Sequence, residues 1–175
     1  MSGFRAEFQG ELEIVKRQLM ALAEAIPDEK YDWRPADGAR SVSEVLVHVA
    51  AGNFMLLDVI GSMPPVHIYG EVAAQGQERM WALVRRNDEL LRELRDKASV
   101  IKLLRESLDT VDQVFGGASD EALDAPRQFF GADATVRRVY LRLLVHLHEH
   151  MGQMIGYTRC MGLPAPWPDW RPDRR

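Results

Sequence analysis

Apolar residues recur at three- and four-residue spacing along most of the chain, the signature of amphipathic helices. Over residues 4–25, Phe4, Phe8, Leu12, Val15, Leu19 and Leu22 share one face while charges fill the other, and Pro27 closes the segment. Residues 27–40 (PDEKYDWRPADGAR) read as a loop, with Tyr31 and Trp33 as a plug over one end of the domain. Ser41 to Glu44 (SVSE) form a capping box that starts a second helix, which runs to about Ile60 and is ended by Gly61, Pro64 and Pro65. Residues 62–76 read as a loop or irregular crossover.

Helical spacing returns over 77–95 and again in the stripe Val100, Leu103, Leu104, Leu108, Val111 and Phe115, which Gly116 and Gly117 stop. Periodicity alone leaves 77–115 open as one bent helix or two; Asp96 and Ser99, both good caps, favour a break near 96–99. Residues 118–134 read as a further loop, and Asp133 or Thr135 caps a last long helix over about 136–162. No segment alternates strictly between apolar and polar, so no strands are expected. The pattern predicts an all-α four-helix bundle with a long crossover between the second and third helices, in one domain over residues 1–175.

Composition narrows the classes. The 175 residues suit one domain, and 46% apolar with 27% charged is an ordinary soluble balance. A net charge of −4 argues against nucleic-acid binding, and the basic tail Arg171 to Arg175 is too short to reverse that. The most apolar stretch, Val45 to Ile60, is interrupted by Asn53 and Asp58 and is short for a membrane span, so it reads as a buried helix. Cys160 is the single cysteine, which fits a reducing cytosol, and the N-terminus lacks a signal-peptide layout; the expectation is a cytoplasmic protein.

Three of the five histidines crowd into LHEHMGQ: His146, His148 and His150. A helix turns about 100° per residue, so His146 and His150 share a face and His148 points away. The row Val139, Leu143, His146, His150, Met154, Tyr157 is otherwise apolar, so the pair looks inward; His148 falls with Arg138, Arg142, Glu149 and Arg159 and is expected at the solvent face. Two inward imidazoles fit two arrangements: separate hydrogen-bonded core residues, or a pair sharing one divalent cation, which takes neutral imidazole nitrogens. A third ligand would decide, and His48 and His67 are the candidates. His48 lies on the inward row Val45, Gly52, Met55, Val59 of the second helix, where Gly52 would admit a neighbouring helix; His67 follows Pro64 and Pro65 in a loop and is expected in solvent. His48, His146 and His150 would leave one coordination position open, the arrangement of a catalytic site. Gln153, one turn past His150, could serve as an outer partner or make an ordinary interhelical hydrogen bond.

YDWRPADGARSVSEVLVHVA, with HLHEHMGQMIGYTRCMGLPAP near the end, resembles the DinB/YfiT-like superfamily: a W-x-P loop, a capped helix bearing one histidine, and a closing H-x-x-x-H-x-G-Q helix that ends in a Gly-x-Pro-x-Pro turn. The resemblance covers the whole chain and is weakest over about 62–98. It implies a four-helix bundle, usually a homodimer, that holds a divalent metal on the positions of His48, His146 and His150. Some relatives are bacillithiol S-transferases or mycothiol-dependent isomerases, and many have no known activity.

Three readings of the chemistry follow. The first is a metal-dependent S-transferase acting on a low-molecular-weight thiol and a small electrophile, with Zn, Ni or Fe as the ion and Tyr31, Trp33 and Trp167 as candidate pocket walls or plain core aromatics. The second is a metal hydrolase, which wants a carboxylate base; Glu149 lies off the ligand face, and Asp58 is ten residues past His48. The third is a non-catalytic metal-stabilised bundle. Cys160, ten residues past His150 and about 15 Å along the helix, is too far to be a ligand.

Overall fold

The computed structural model describes residues 3–167. Its long helices are α1 (Phe4–Ala25), α2 (Val42–Val59), α4 (Gly76–Glu93), α5 (Lys97–Gly116) and α7 (Val136–Cys160), with short helices α3 (Val66–Tyr69) and α6 (Asp120–Asp124) between them. Helices α1 and α2 each pack on α5 and on α7, which closes a four-helix ring. Helix α4 lies outside the ring against α2, so the crossover from the second to the third bundle helix is itself helical. The chain breaks between α4 and α5 at Asp96, whose carboxylate accepts the Ser99 N–H at 2.9 Å. That makes 77–115 two helices.

Helix α2 is surrounded by α4, α5 and α7, which explains why it is apolar nearly all round. By length and composition it could cross a membrane, yet 72% of it is buried inside the protein. Its start is fixed by the expected capping box: Ser41 Oγ accepts the Glu44 N–H at 3.3 Å, and Glu44 Oε2 accepts the Ser41 N–H at 2.7 Å. The preceding loop docks onto that start. Trp33 and Tyr31 carbonyls accept the Val42 and Ser43 N–H groups, and the buried Tyr31 hydroxyl donates to the Ala23 carbonyl at 2.8 Å. An aromatic cluster of Phe8, Phe115 and Tyr140, with ring centroids 4.1 to 5.4 Å apart, fills the core where α1, α5 and α7 meet.

Two expectations need correction. Residues 118–134 are not a loop: Ser119 caps α6, and strands β1 (Pro126–Phe129) and β2 (Ala132–Thr135) pair as an antiparallel hairpin. Four-residue strands are too short to print an alternation, and Pro, Asp and Ala are poor strand formers. The two-residue turn has φ of 50° at Phe130 and 79° at Gly131, the doubly positive geometry of a primed turn. Secondly, the crossover carries the single turn α3, so His67 sits on a helical turn rather than in a loop; its side chain is 67% exposed and pairs with Glu106 at 2.9 Å. The cap of α7 is Thr135, which accepts the Arg138 N–H.

Candidate metal centre

Helices α2 and α7 bring three histidines to one point. His48 lies about two turns into α2, and His146 and His150 lie one turn apart on α7. One ring nitrogen from each falls within 4.8 Å of the others. The ring centroids are 5.0 Å (His48 to His146), 4.8 Å (His48 to His150) and 4.6 Å (His146 to His150) apart, all edge-on. His146 Nε2 is 3.2 Å from His48 Nε2. Two nitrogens that share one tetrahedral ion at 2.0–2.1 Å stand about 3.3 Å apart. The donor set fits a divalent transition metal: three imidazole nitrogens that converge on one point.

Burial sets the protonation state. The His48 pKa is pushed down to about 3, first by burial and then by the positive field of Arg40 and the two neighbouring imidazoles. That of His146 is pushed down to about 4, by burial first, then by His150 and Arg142, against a weaker pull from Glu149. Both rings are therefore neutral at neutral pH, the form that ligates. His146 is the deepest, 9% exposed, and its Nδ1 is buried with no hydrogen-bond partner among the described residues. His48 and His150 are half-buried, so the cluster meets solvent on their side.

Neighbours hold two of the rings. His146 lies against the bare backbone of Gly52 on α2. His150 Nδ1 donates to Gln153 Oε1 at 2.8 Å, Gln153 Nε2 donates to the Tyr157 hydroxyl at 3.0 Å, and Tyr157 donates to the Arg40 carbonyl at 2.9 Å. Trp33 packs edge-on against Tyr157, with centroids 5.4 Å apart. Gln153 is thus the outer partner of His150, not an interhelical bond to the bulk of α2. Tyr157 went unnoticed in the sequence as anything but an apolar-row residue; its place four residues past Gln153 and seven past His150 was the available signal.

The other sequence candidates lie elsewhere. His148 is on the far side of α7, where its Nδ1 donates to the Leu144 carbonyl at 2.9 Å and its Nε2 stands 3.8 Å from Glu11 of α1. With its side chain 35% exposed it is half-buried along α1, not fully in solvent as expected. Asp58 is clamped by Arg79, at 2.6 and 3.0 Å, and Glu149 by Arg142, at 2.8 and 3.1 Å, so both carboxylates are engaged. Cys160 is exposed at the end of α7. Tyr31 is a core residue, Trp33 borders the site through Tyr157, and Trp167 is half-buried against the core.

Similar folds are found among solved structures. A DinB-like protein from Bacillus cereus superposes with a TM-score of 0.69 at 16% identity, over 93% of this chain and 95% of that one. A DinB-like protein from Bacillus subtilis gives 0.66 at 17% identity, over 94% and 96%. YfiT from Bacillus subtilis, described as a probable metal-dependent hydrolase with an unusual four-helix bundle topology, gives 0.63 at 17% identity, over 91% and 89%. At these identities the likeness is one of fold. No curated protein matches the chain in sequence. The model of the DinB superfamily matches residues 11–154, a span that takes in His48, His146, His150 and Gln153 with all of α2 and most of α7: the chain belongs to the DinB superfamily.

Proposed function

We propose that the chain binds one divalent metal ion through His48, His146 and His150 and uses it to activate a low-molecular-weight thiol for transfer to a small electrophile. The observation that carries this reading is the convergence of three imidazole nitrogens within 4.8 Å, two of them 3.2 Å apart, with the His48 and His146 rings kept neutral by burial. A bound divalent ion supplies Lewis acidity that lowers the pKa of a thiol at its open position. The protein's part is to hold the His48 and His146 imidazoles neutral, to orient His150 through Gln153, and to close the inner side of the site with His146 and Gly52.

A thiol ionises near neutral pH with modest help, whereas water needs a larger shift and gains more from a carboxylate base. The two carboxylates weighed for that task, Asp58 and Glu149, are both tied to arginines. Metal-dependent hydrolysis is the second reading, favoured by the likeness to YfiT. A homodimer is part of the same proposal and is read by light scattering.

The test is metal analysis of protein purified without a nickel column, which also decides among Zn, Ni and Fe. It is followed by turnover assays with bacillithiol, mycothiol and glutathione against a generic electrophile, and with ester and amide substrates. Metal-dependent conjugation supports the S-transferase. Metal-dependent hydrolysis without conjugation replaces it with the second reading. Metal retention with neither activity makes the chain a non-catalytic metal-binding bundle, and no metal overturns all three.

A further inference from the structure

The hydrogen-bond chain leading away from His150 ends on a backbone carbonyl, and that end sets its direction. The Arg40 carbonyl can only accept, so the Tyr157 hydroxyl gives it its single hydrogen at 2.9 Å. With that hydrogen committed, the Tyr157 oxygen can only accept, and the group facing it at 3.0 Å must be the Gln153 NH2. The other atom of that amide is then Oε1, an acceptor, which faces His150 Nδ1 at 2.8 Å. His150 must therefore carry a hydrogen on Nδ1, and of the two neutral tautomers that is the one with its lone pair on Nε2. We infer that Tyr157 is a positioning residue of the metal centre: anchored on the Arg40 carbonyl, it locks the Gln153 amide and so fixes the His150 tautomer that offers Nε2 as a ligand.

This inference rests on the proposed metal binding. Its geometry has a further consequence. Arg40 immediately precedes Ser41, the N-cap of α2, so the chain of bonds ties the His150 helix to the start of the His48 helix. Trp33, edge-on to Tyr157, keeps the ring in place from the loop side. His146 has no comparable partner on Nδ1 among the described residues, so His150 is the ligand whose tautomer is set in advance.

Tyr157→Phe tests the idea, since it keeps the ring against Trp33 and removes only the hydroxyl. The Gln153 amide is then free to flip and present its NH2 to His150 Nδ1, which favours the wrong tautomer. Long-range proton–nitrogen NMR of metal-free protein should show His150 protonated on Nδ1 in the wild type and shifted toward Nε2 in the variant. Metal affinity, read by competition with a chromophoric chelator, should fall about 10- to 100-fold. Gln153→Glu supplies the rescue, because a carboxylate has no donor to flip in. In that background Tyr157→Phe should change affinity by no more than about twofold. An equal loss in both backgrounds, or an unchanged tautomer and affinity in Tyr157→Phe, overturns the inference while leaving the metal reading intact. A wild type that takes up no metal overturns the proposed function and, with it, this role for Tyr157.

Discussion

A Cβ built on Gly52 would stand 2.6 Å from His146 Cε1 and 3.2 Å from its Nδ1. The imidazole therefore occupies the space that any other residue at position 52 would fill, and the missing side chain on α2 is what lets His146 of α7 reach His48.

Gly52→Ala follows from that contact. Real Cβ contacts do not go below 3.0 Å, so the His146 ring or one of the helices must shift. Alanine favours the helix by about 1 kcal/mol over glycine, which offsets part of an overpacking cost of about 1–3 kcal/mol. The melting temperature of the metal-free protein should change little, while metal affinity by chelator competition falls about tenfold or more. Unchanged affinity would mean that His146 is not a ligand.

The four candidate histidines should separate cleanly. His48→Ala, His146→Ala and His150→Ala should each lower the metal content per chain, measured by inductively coupled plasma mass spectrometry. His148→Ala should leave it at the wild-type level, since that ring is bonded to the Leu144 carbonyl on the opposite side of α7. An equal loss in His148→Ala would contradict the placement of the site.

Acid should destabilise the metal-free protein through the same rings. His48 and His146 have folded pKa values of about 3 and about 4, below the ordinary value near 6.5 that they regain on unfolding. Above pH 6.5 neither state binds the protons and the histidines cost nothing. As pH falls from about 6.5 toward 4 the unfolded state takes them up first, and stability drops by at most about 1.4 kcal/mol per pH unit for each ring. Thermal melts of metal-stripped protein from pH 7.5 to 4.5 should show a fall that is shallower in His48→Gln/His146→Gln.

Asp58 should prove structural. It meets Arg79 through three contacts of 2.6 to 3.0 Å, both side chains being less than a fifth exposed. Asp58→Asn should cost about 1–3 kcal/mol by leaving a half-buried guanidinium short of its partner, and should leave metal content unchanged. Loss of a hydrolytic activity with stability intact would instead restore Asp58 as a base.

Much of this was legible in the chain itself, because the signals are local. A 3.6-residue repeat declares a helix wherever one face must be buried, and Ser41 with Glu44 or Asp96 with Ser99 declares where helices start, because the bonds run between residues three apart. The same periodicity put His146 and His150 on one face and sent His148 to another, and the row Val45, His48, Gly52 turned the third ring inward. The β1–β2 hairpin escaped notice because four-residue strands around a Phe-Gly turn carry neither alternation nor the usual Asn-Gly signal.

Tertiary packing decided what sequence spacing cannot express. His48 and His146 are 98 positions apart, and their 3.2 Å approach depends on α2 and α7 being neighbours in the ring and on Gly52 facing that seam. The engagement of Asp58 by Arg79, and the chain of bonds from His150 to the Arg40 carbonyl, likewise join side chains to groups that the sequence keeps far apart. Helical period fixes the direction in which a side chain leaves its own helix; which partner it meets there is fixed by how the helices pack, and that is a property of the whole core.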